Sequence, residues 1–382
     1  MGDELTDEVI ARTIGDDSAA SFFTTRPTFT GHGGEYFRIW TVNLLFTLLT
    51  CGLYSAWAKV RKATYFRNNT SLGGHVFHYH ASPVAILRGR ILAVILLAAY
   101  SWAFNFSKTA GLVTIVILCA VGPWLFMRAQ QFALSNTSFR GLRFGFRART
   151  QDAYVAILPV LGLWLAPTAV GALASPTWLM AVPPLVVTAA FPWMHHRAKA
   201  FQRGHATYGD RDFTFTSATG RFYAVYAKGL GLMFLASLVI AAAALGVFVW
   251  RRTSGVTLGP GIESAIYGAV GGLIAYLVIV PYYSARLQQI VWDRTELGDI
   301  RFRTEIKATR LFTLVLKNVT LTVLTAGLYW PWASVALARY RIECVHVESG
   351  VPLSTLAAGV QASAVTAAGE GAVEAFGFDI GL

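Results

Sequence analysis

Charge is what this chain has least of. Only 14% of its 382 residues are Asp, Glu, Lys or Arg, against about 25% in soluble domains. Its three cysteines, Cys51, Cys119 and Cys344, are scattered and form no CxxC. That argues against a disulfide framework or a zinc knuckle. No GxSxG and no GxxxxGK[ST] occurs, so neither a nucleophile elbow nor a P-loop ATPase is expected. No Ser or Cys has a legible His/Asp partner. The sequence therefore reads as a non-enzyme that needs no cofactor and no metal. Carboxylates are missing from the middle of the apolar runs, and Asp152 and Glu263 lie at run edges. This lowers the case for a proton-coupled pump, which uses membrane-embedded acids. The first 25 residues hold Asp3, Glu4, Asp7, Glu8, Asp16 and Asp17 against one base, Arg12. That is the wrong sign for a signal-peptide n-region, so the first apolar span is expected to act as its own insertion signal.

What the chain has is apolar length. It is 55% hydrophobic with a mean hydropathy of +0.50. Runs such as ILAVILLAAYSWAF and LGLMFLASLVIAAAALGVFVW belong to spans near the roughly 20 residues that cross a bilayer. Eight spans are expected, over 38–57, 84–104, 110–129, 153–174, 177–196, 222–250, 262–287 and 311–333. Residues 26–342 carry 31 of the 32 Lys+Arg and 9 of the 20 Asp+Glu, a net charge of +22. The domain plan follows: an acidic disordered tail over 1–25, a repeat-built multi-span domain over 26–353, and an Ala/Gly-rich flexible tail over 354–382. The basic residues flank apolar spans. Anionic membrane lipids, not nucleic acid, are the expected partner of a chain with a pI near 9.8. A homo-oligomer or another membrane partner stays open.

One unit recurs. Trp57, Trp124, Trp193 and Tyr282 are each followed, four residues on, by an arginine: Arg61, Arg128, Arg197 and Arg286. Twenty residues on stands a phenylalanine: Phe77, Phe144, Phe213 and Phe302. Trp332 opens a fifth, degraded copy in which Ala336 replaces the arginine. An amphipathic ring suits the membrane interface, and an arginine one turn later reaches the headgroups. This predicts a lipid-headgroup belt of Arg61, Arg128, Arg197, Arg286, Trp124, Trp193 and Tyr282. The segments that follow alternate and carry Asn, Thr and Gly, the pattern of a β-hairpin. Their loops hold most of the positive charge, which places the hairpins in the cytoplasm. The fold class is all-α transmembrane, about eight helices in repeated helix-pair units joined by short cytoplasmic β-hairpins. The first and last spans are single; both are expected to cross, the alternative being short re-entrant segments broken at Gly52 and Gly327, each near a polar Thr.

The first and last spans also share a motif, TLLTCGLYSAW at 47–57 and TVLTAGLYWPW at 322–332. Asn43, Thr47, Thr50, Tyr54 and Trp57 match Asn318, Thr322, Thr325, Tyr329 and Trp332 in steps of four, three, four and three. Along one straight helix those steps fall within roughly 80°, a polar stripe. Two readings stand: a packing seam between helices, or the lining of a polar path.

Other constellations have plainer readings. His75, His78 and His80 read as surface imidazoles near lipid phosphates, because no Cys, Asp or Glu lies nearby to complete a metal site. His195 and His196 read as headgroup contacts. Lys317 and the pair Arg88 and Arg90 read as snorkelling or interfacial anchors, and Gly268 and Gly272 as close helix packing.

The segment FTGHGGEYF at 29–37, then Asn43, T-x-G-L-Y-x-x-W at 50–57, the N-x-T-x-x-G turn at 68–73 and the repeated F-x-F ends resemble the DUF898 family, which includes YjgN-type bacterial inner-membrane proteins. The resemblance covers roughly residues 25–345. It implies a multi-pass protein of the bacterial inner membrane and supplies no catalytic residues. The expectation is a lipid- or partner-binding membrane scaffold. The alternative is a transporter or channel for a small solute or lipid, its path lined by the two matching stripes.

Overall fold

Each of the five copies begins a helix four residues after a strand ends. In the computed structural model, which describes residues 23–173, 180–255 and 260–350, those starts are Gly33, Pro83, Thr150, Thr219 and Ala308. The two tails predicted from sequence lie almost wholly outside the described residues. A short strand pair, β1 (Phe23–Thr25) and β2 (Thr28–Phe29), opens the chain. Copy one is α1 (Gly33–Leu49), α2 (Ser55–Asn68), β3 (Thr70–Leu72) and β4 (His75–Tyr79). Copy two is α3 (Pro83–Phe106), α4 (Lys108–Ser135), β5 (Thr137–Phe139) and β6 (Leu142–Phe146). Copy three is α5 (Thr150–Leu173), α6 (Val182–Gly204), β7 (Ala206–Tyr208) and β8 (Arg211–Phe215). Copy four is α7 (Thr219–Ser254), α8 (Pro260–Asp293), β9 (Thr295–Leu297) and β10 (Ile300–Thr304). Copy five is α9 (Ala308–Leu324), α10 (Trp330–Glu343) and β11 (Val345–Ser349).

Two sequence expectations need correction. The described residues form ten helices rather than about eight, because spans 38–57 and 311–333 are not single helices. Each breaks at a residue pair with left-handed backbone: Cys51 (φ 49°) with Gly52 (φ 91°), and Ala326 (φ 49°) with Gly327 (φ 94°). The fold is also not all-α. The hairpins do not stand alone but join in one antiparallel sheet of eleven strands, ordered β1-β11-β10-β9-β8-β7-β6-β5-β4-β3-β2. An isolated two-stranded hairpin is marginal in water, and pairing each hairpin with the next removes its exposed edges.

The sheet curls back on itself. Its two edge strands, β1 and β2, are separated only by Arg26 and Pro27, so Thr25 and Thr28 stand at most about 11 Å apart. Pro27 has no N–H to give to a ladder, which fits the switch of partners there: β1 pairs with β11, β2 with β3. The helices close the same ring. Phe37 of α1 stacks on Trp332 of α10, with centroids 4.9 Å apart. Arg339 of α10 donates to the carbonyl of Gly31 at 2.8 Å.

The register explains the twenty-residue spacing. Phe77 pairs with Phe139, Phe144 with Tyr208, Phe213 with Leu297 and Phe302 with Val347. These side chains meet in one cluster with Leu72, so all five copies share one core. Phe77, Phe144, Phe213 and Phe302 follow one another at centroid spacings of 6.4, 6.5 and 6.2 Å.

Five described helices, α3, α4, α5, α7 and α8, are long and apolar enough to cross a membrane. Since β6 and β7 lie side by side in one sheet, α5 must leave and α6 must return to the same side. The pairs α3–α4, α5–α6 and α7–α8 thus each leave the sheet and return to it. By contrast α1 and α9 have 17 residues each, about 25 Å, short of the ~30 Å hydrocarbon core. At each break the chain turns back toward the sheet, where β2 lies beside β3 and β11 beside β10.

Candidate functional site

The two reversals are where the sequence motif sits. A chain that turns inside a bilayer must pair its own backbone polar groups, because no water is there to do it. At the first reversal the N–H groups of Thr50, Cys51, Gly52, Leu53 and Ser55 go to the carbonyls of Phe46, Leu48, Thr47, Thr50 and Gly52, at 2.8–3.2 Å. Tyr54 N–H goes to the Thr50 hydroxyl at 3.0 Å. At the second reversal Thr325, Ala326, Gly327, Leu328 and Trp330 repeat the same pattern onto Leu321, Val323, Thr322, Thr325 and Gly327. Tyr329 N–H goes to the Thr325 hydroxyl at 3.0 Å. Every N–H from 50 to 55 and from 325 to 330 is paired within the chain. The tips are apolar: Leu48 and Leu49 are each 69% exposed, and Leu324 is 76% exposed.

The polar stripe is therefore not one face of one helix. Asn43 and Thr47 lie on α1, Thr50 and Tyr54 flank the turn, and Trp57 lies on α2. Asn318 and Thr322 lie on α9, Thr325 and Tyr329 flank the turn, and Trp332 lies on α10. The even spacing misled because the helical period continues across the break. The contacts repeat within each hairpin. Tyr54 stacks on Trp57 at 6.0 Å and Tyr329 on Trp332 at 5.9 Å. Asn43 and Asn318 are buried. The Asn318 amide reaches the carbonyl of Ala333 at 3.5 Å, while the Asn43 Oδ1 has no partner among the described residues.

The aromatic-basic belt divides in two. Arg128 lies over the ring of Trp124 at 5.5 Å and Arg197 over Trp193 at 5.2 Å, one helical turn apart as the spacing dictates. Arg128 donates to Gln131 at 3.0 Å, and Arg286 to Gln289 at 3.2 Å. Arg61 and Arg286 are exposed. Arg197 has a different task. Pro159 sits inside α5 and lacks the N–H that the Val155 carbonyl would accept. Arg197 donates to that carbonyl, and to that of Ala156 at 3.0 Å. Tyr154 ties α5 to α4, its hydroxyl donating to the Ala120 carbonyl. Tyr282 turns its hydroxyl to the Val225 carbonyl at 3.4 Å.

The remaining candidates scatter. His80 is bonded to the Ser138 hydroxyl at 2.7 Å, and burial, with Arg143 and His78 nearby, holds its imidazole below the usual value. His195 meets the Tyr226 hydroxyl at 2.8 Å. His196 is buried and reaches Ala218 N–H and the Thr219 hydroxyl at 3.2 Å. That pair ties α6 to α7 rather than facing headgroups. Among the described residues no group of three or more His, Cys, Asp or Glu is placed to hold a metal ion. Arg90 donates to Ser55 at 2.6 Å, and Arg88 and Lys317 are exposed. Gly268 and Gly272 have open space where a Cβ would stand, and Gly271 faces Ile240 instead. The carbonyl freed by Pro159 and the backbone pairing of the two reversals escaped sequence reading. Pro159 and the two TxGxY motifs were the signals for them.

A ring of helix pairs standing on one curled sheet, with five described helices long and apolar enough to cross a membrane, defines a polytopic membrane protein. The sequence model of the family described as "Bacterial protein of unknown function (DUF898)" matches residues 24–375, and the chain belongs to that family. Two relatives are both named Inner membrane protein YjgN. The one from Salmonella typhimurium is 33% identical over 136 residues, 35% of this chain and 34% of the relative. The one from Escherichia coli O157:H7 is 27% identical over 141 residues, again 35% and 34%. The matched part thus spans about a third of these curated relatives. No solved structure matches. The relatives' names and the five apolar helices place this chain in the inner membrane.

Proposed function

We propose that this protein is a non-enzymatic, lipid-binding scaffold of the inner membrane, with its sheet on the cytoplasmic side. The observation that carries this reading is the solid inner face of the sheet. Phe77, Phe139, Phe144, Tyr208, Phe213 and Phe302 fill it together with aliphatic neighbours. A close-packed aromatic core is a platform, not a water path. Around it, Arg61 and Arg286 are exposed, and an arginine near an anionic surface contributes attraction to it.

The rival reading, a transporter or channel, draws on the two reversals, since broken helices in membranes often bind ions or solutes. Here the N–H groups of both turns are already paired within the chain, which leaves them no free donor for a solute. The test is lipid retention. Arg61, Arg128 and Arg286 are changed together to Gln, and the anionic lipid that co-purifies with the folded protein is measured. The scaffold reading expects that lipid to fall. Retention equal to the unaltered protein, with fold and abundance intact, would remove it.

A further inference from the structure

Three seams between copies are filled by the fifth residue of an odd-numbered helix, and the seam between α8 and α9 holds a cleft. Between α10 and α1, Phe37 stacks on Trp332. Between α2 and α3, Leu87 and Trp57 pack into one cluster. Between α4 and α5, the Tyr154 hydroxyl reaches the Ala120 carbonyl. Between α8 and α9 the equivalent residue is Phe312, which lines open space, and Tyr282 points its hydroxyl toward α7. An open cleft of about 280 Å³ remains, lined by Val278, Pro281 and Tyr282 of α8 and by Thr309, Phe312 and Thr313 of α9.

Charge frames this apolar cleft. Arg286 is exposed one turn below Tyr282 on the same face of α8. Its guanidinium has five donors, and Gln289 accepts from it at 3.2 Å. Lys317 is exposed one turn beyond Thr313 on α9. A hydrocarbon slot with a guanidinium at its interfacial mouth complements an acyl chain joined to a phosphate. We infer that this cleft holds one anionic glycerophospholipid, an acyl chain between α8 and α9 and its phosphate on Arg286. The inference rests on the lipid-binding reading above and narrows it to one site.

Native mass spectrometry of the full chain in detergent, with phosphatidylglycerol or phosphatidylcholine added, tests it. The unaltered protein retains one phosphatidylglycerol in preference to phosphatidylcholine. Arg286→Gln lowers that retention about fivefold, the contribution of one cation near an anionic surface. Phe312→Tyr, which copies the filled seam, and Thr313→Phe, which plugs the slot, both abolish the preference. Arg143→Gln, an exposed sheet arginine outside the belt, leaves it unchanged. Unfolding midpoints confirm that each variant is folded, and Phe312→Tyr is conservative enough to serve if Thr313→Phe is not. Equal retention of the neutral lipid overturns the site. So does displacement of the lipid by inorganic phosphate alone, which would mark a free-anion site. A dimer lost on Thr313→Phe would mark a second copy as the occupant and also overturns it. If the unaltered protein retains no lipid at all, the scaffold reading falls as well. If lipid is retained but ignores Phe312→Tyr, Thr313→Phe and Arg286→Gln, only this site falls.

Discussion

Thr50 and Thr325 hold the same place in two copies and make the same two hydrogen bonds. Each hydroxyl donates to the carbonyl four residues back at 2.7 Å, Phe46 and Leu321 respectively. Each accepts the N–H four residues on at 3.0 Å, from Tyr54 and Tyr329. Changing either threonine to Val keeps the shape and deletes the acceptor, stranding one N–H in hydrocarbon. An unpaired buried donor costs about 1–3 kcal/mol. Thr50→Val and Thr325→Val should each lower unfolding stability in nanodiscs by that order, while the serine variants should not. A stable Thr50→Val protein with altered solute flux would favour the transporter.

Arg197 and Pro159 should be coupled. Arg197→Met strands the Val155 carbonyl that Pro159 frees and should cost about 1–3 kcal/mol. Pro159→Ala restores the N–H that this carbonyl needs, so the double variant should recover most of the loss. A double-mutant cycle measures this, and a coupling of about 0.5–3 kcal/mol is expected for groups in contact. Additive effects would mean that Arg197 faces headgroups instead.

The sheet core predicts an alternation. Phe144 points into the shared cluster, and Phe144→Ala should cost about 3–5 kcal/mol. Its neighbour Arg143 is exposed, and Arg143→Ala should stay within about 0.5 kcal/mol. Chemical unfolding followed by tyrosine and tryptophan fluorescence would separate the two.

One histidine sets a pH dependence. His346 on β11 is buried, and its imidazole is held below the usual value, first by burial and then by Arg26. Glu305, 3.4 Å away, pulls the other way. A lowered folded value means that the unfolded chain binds the proton more readily. Stability is therefore fully present above pH ~6.5 and is lost as pH falls below it. Unfolding midpoints should drop as pH falls below ~6.5, and His346→Asn should lessen that drop.

The fivefold repeat was legible because Trp57–Arg61–Phe77 and its counterparts recur at fixed spacing along the chain. The pairing of hairpins into a small sheet could be raised from sequence, but its order and register could not, because decisive pairs such as Phe77 with Phe139 join different copies and no local pattern marks them. The reversals were half legible. Gly52 and Gly327 signalled a break, but Cys51 and Ala326 give no sign of their left-handed backbone, and the apolar run continues through both. The belt was read from spacing alone, which finds Arg128 over Trp124 but cannot see that Arg197 serves a carbonyl opened by a proline on another helix.

The central claim is that all five copies place their strands on one side of the membrane, so that α1–α2 and α9–α10 turn back without crossing. Side-specific cysteine labelling in intact cells tests it most directly, in a background lacking Cys51, Cys119 and Cys344. Single cysteines replace the exposed residues His78, Arg143, Asp212, Arg301 and Gly350. The account predicts that all five label from the same side. Labelling at Gly350 from the side opposite to the other four would contradict it, because β11 could not then pair with β10.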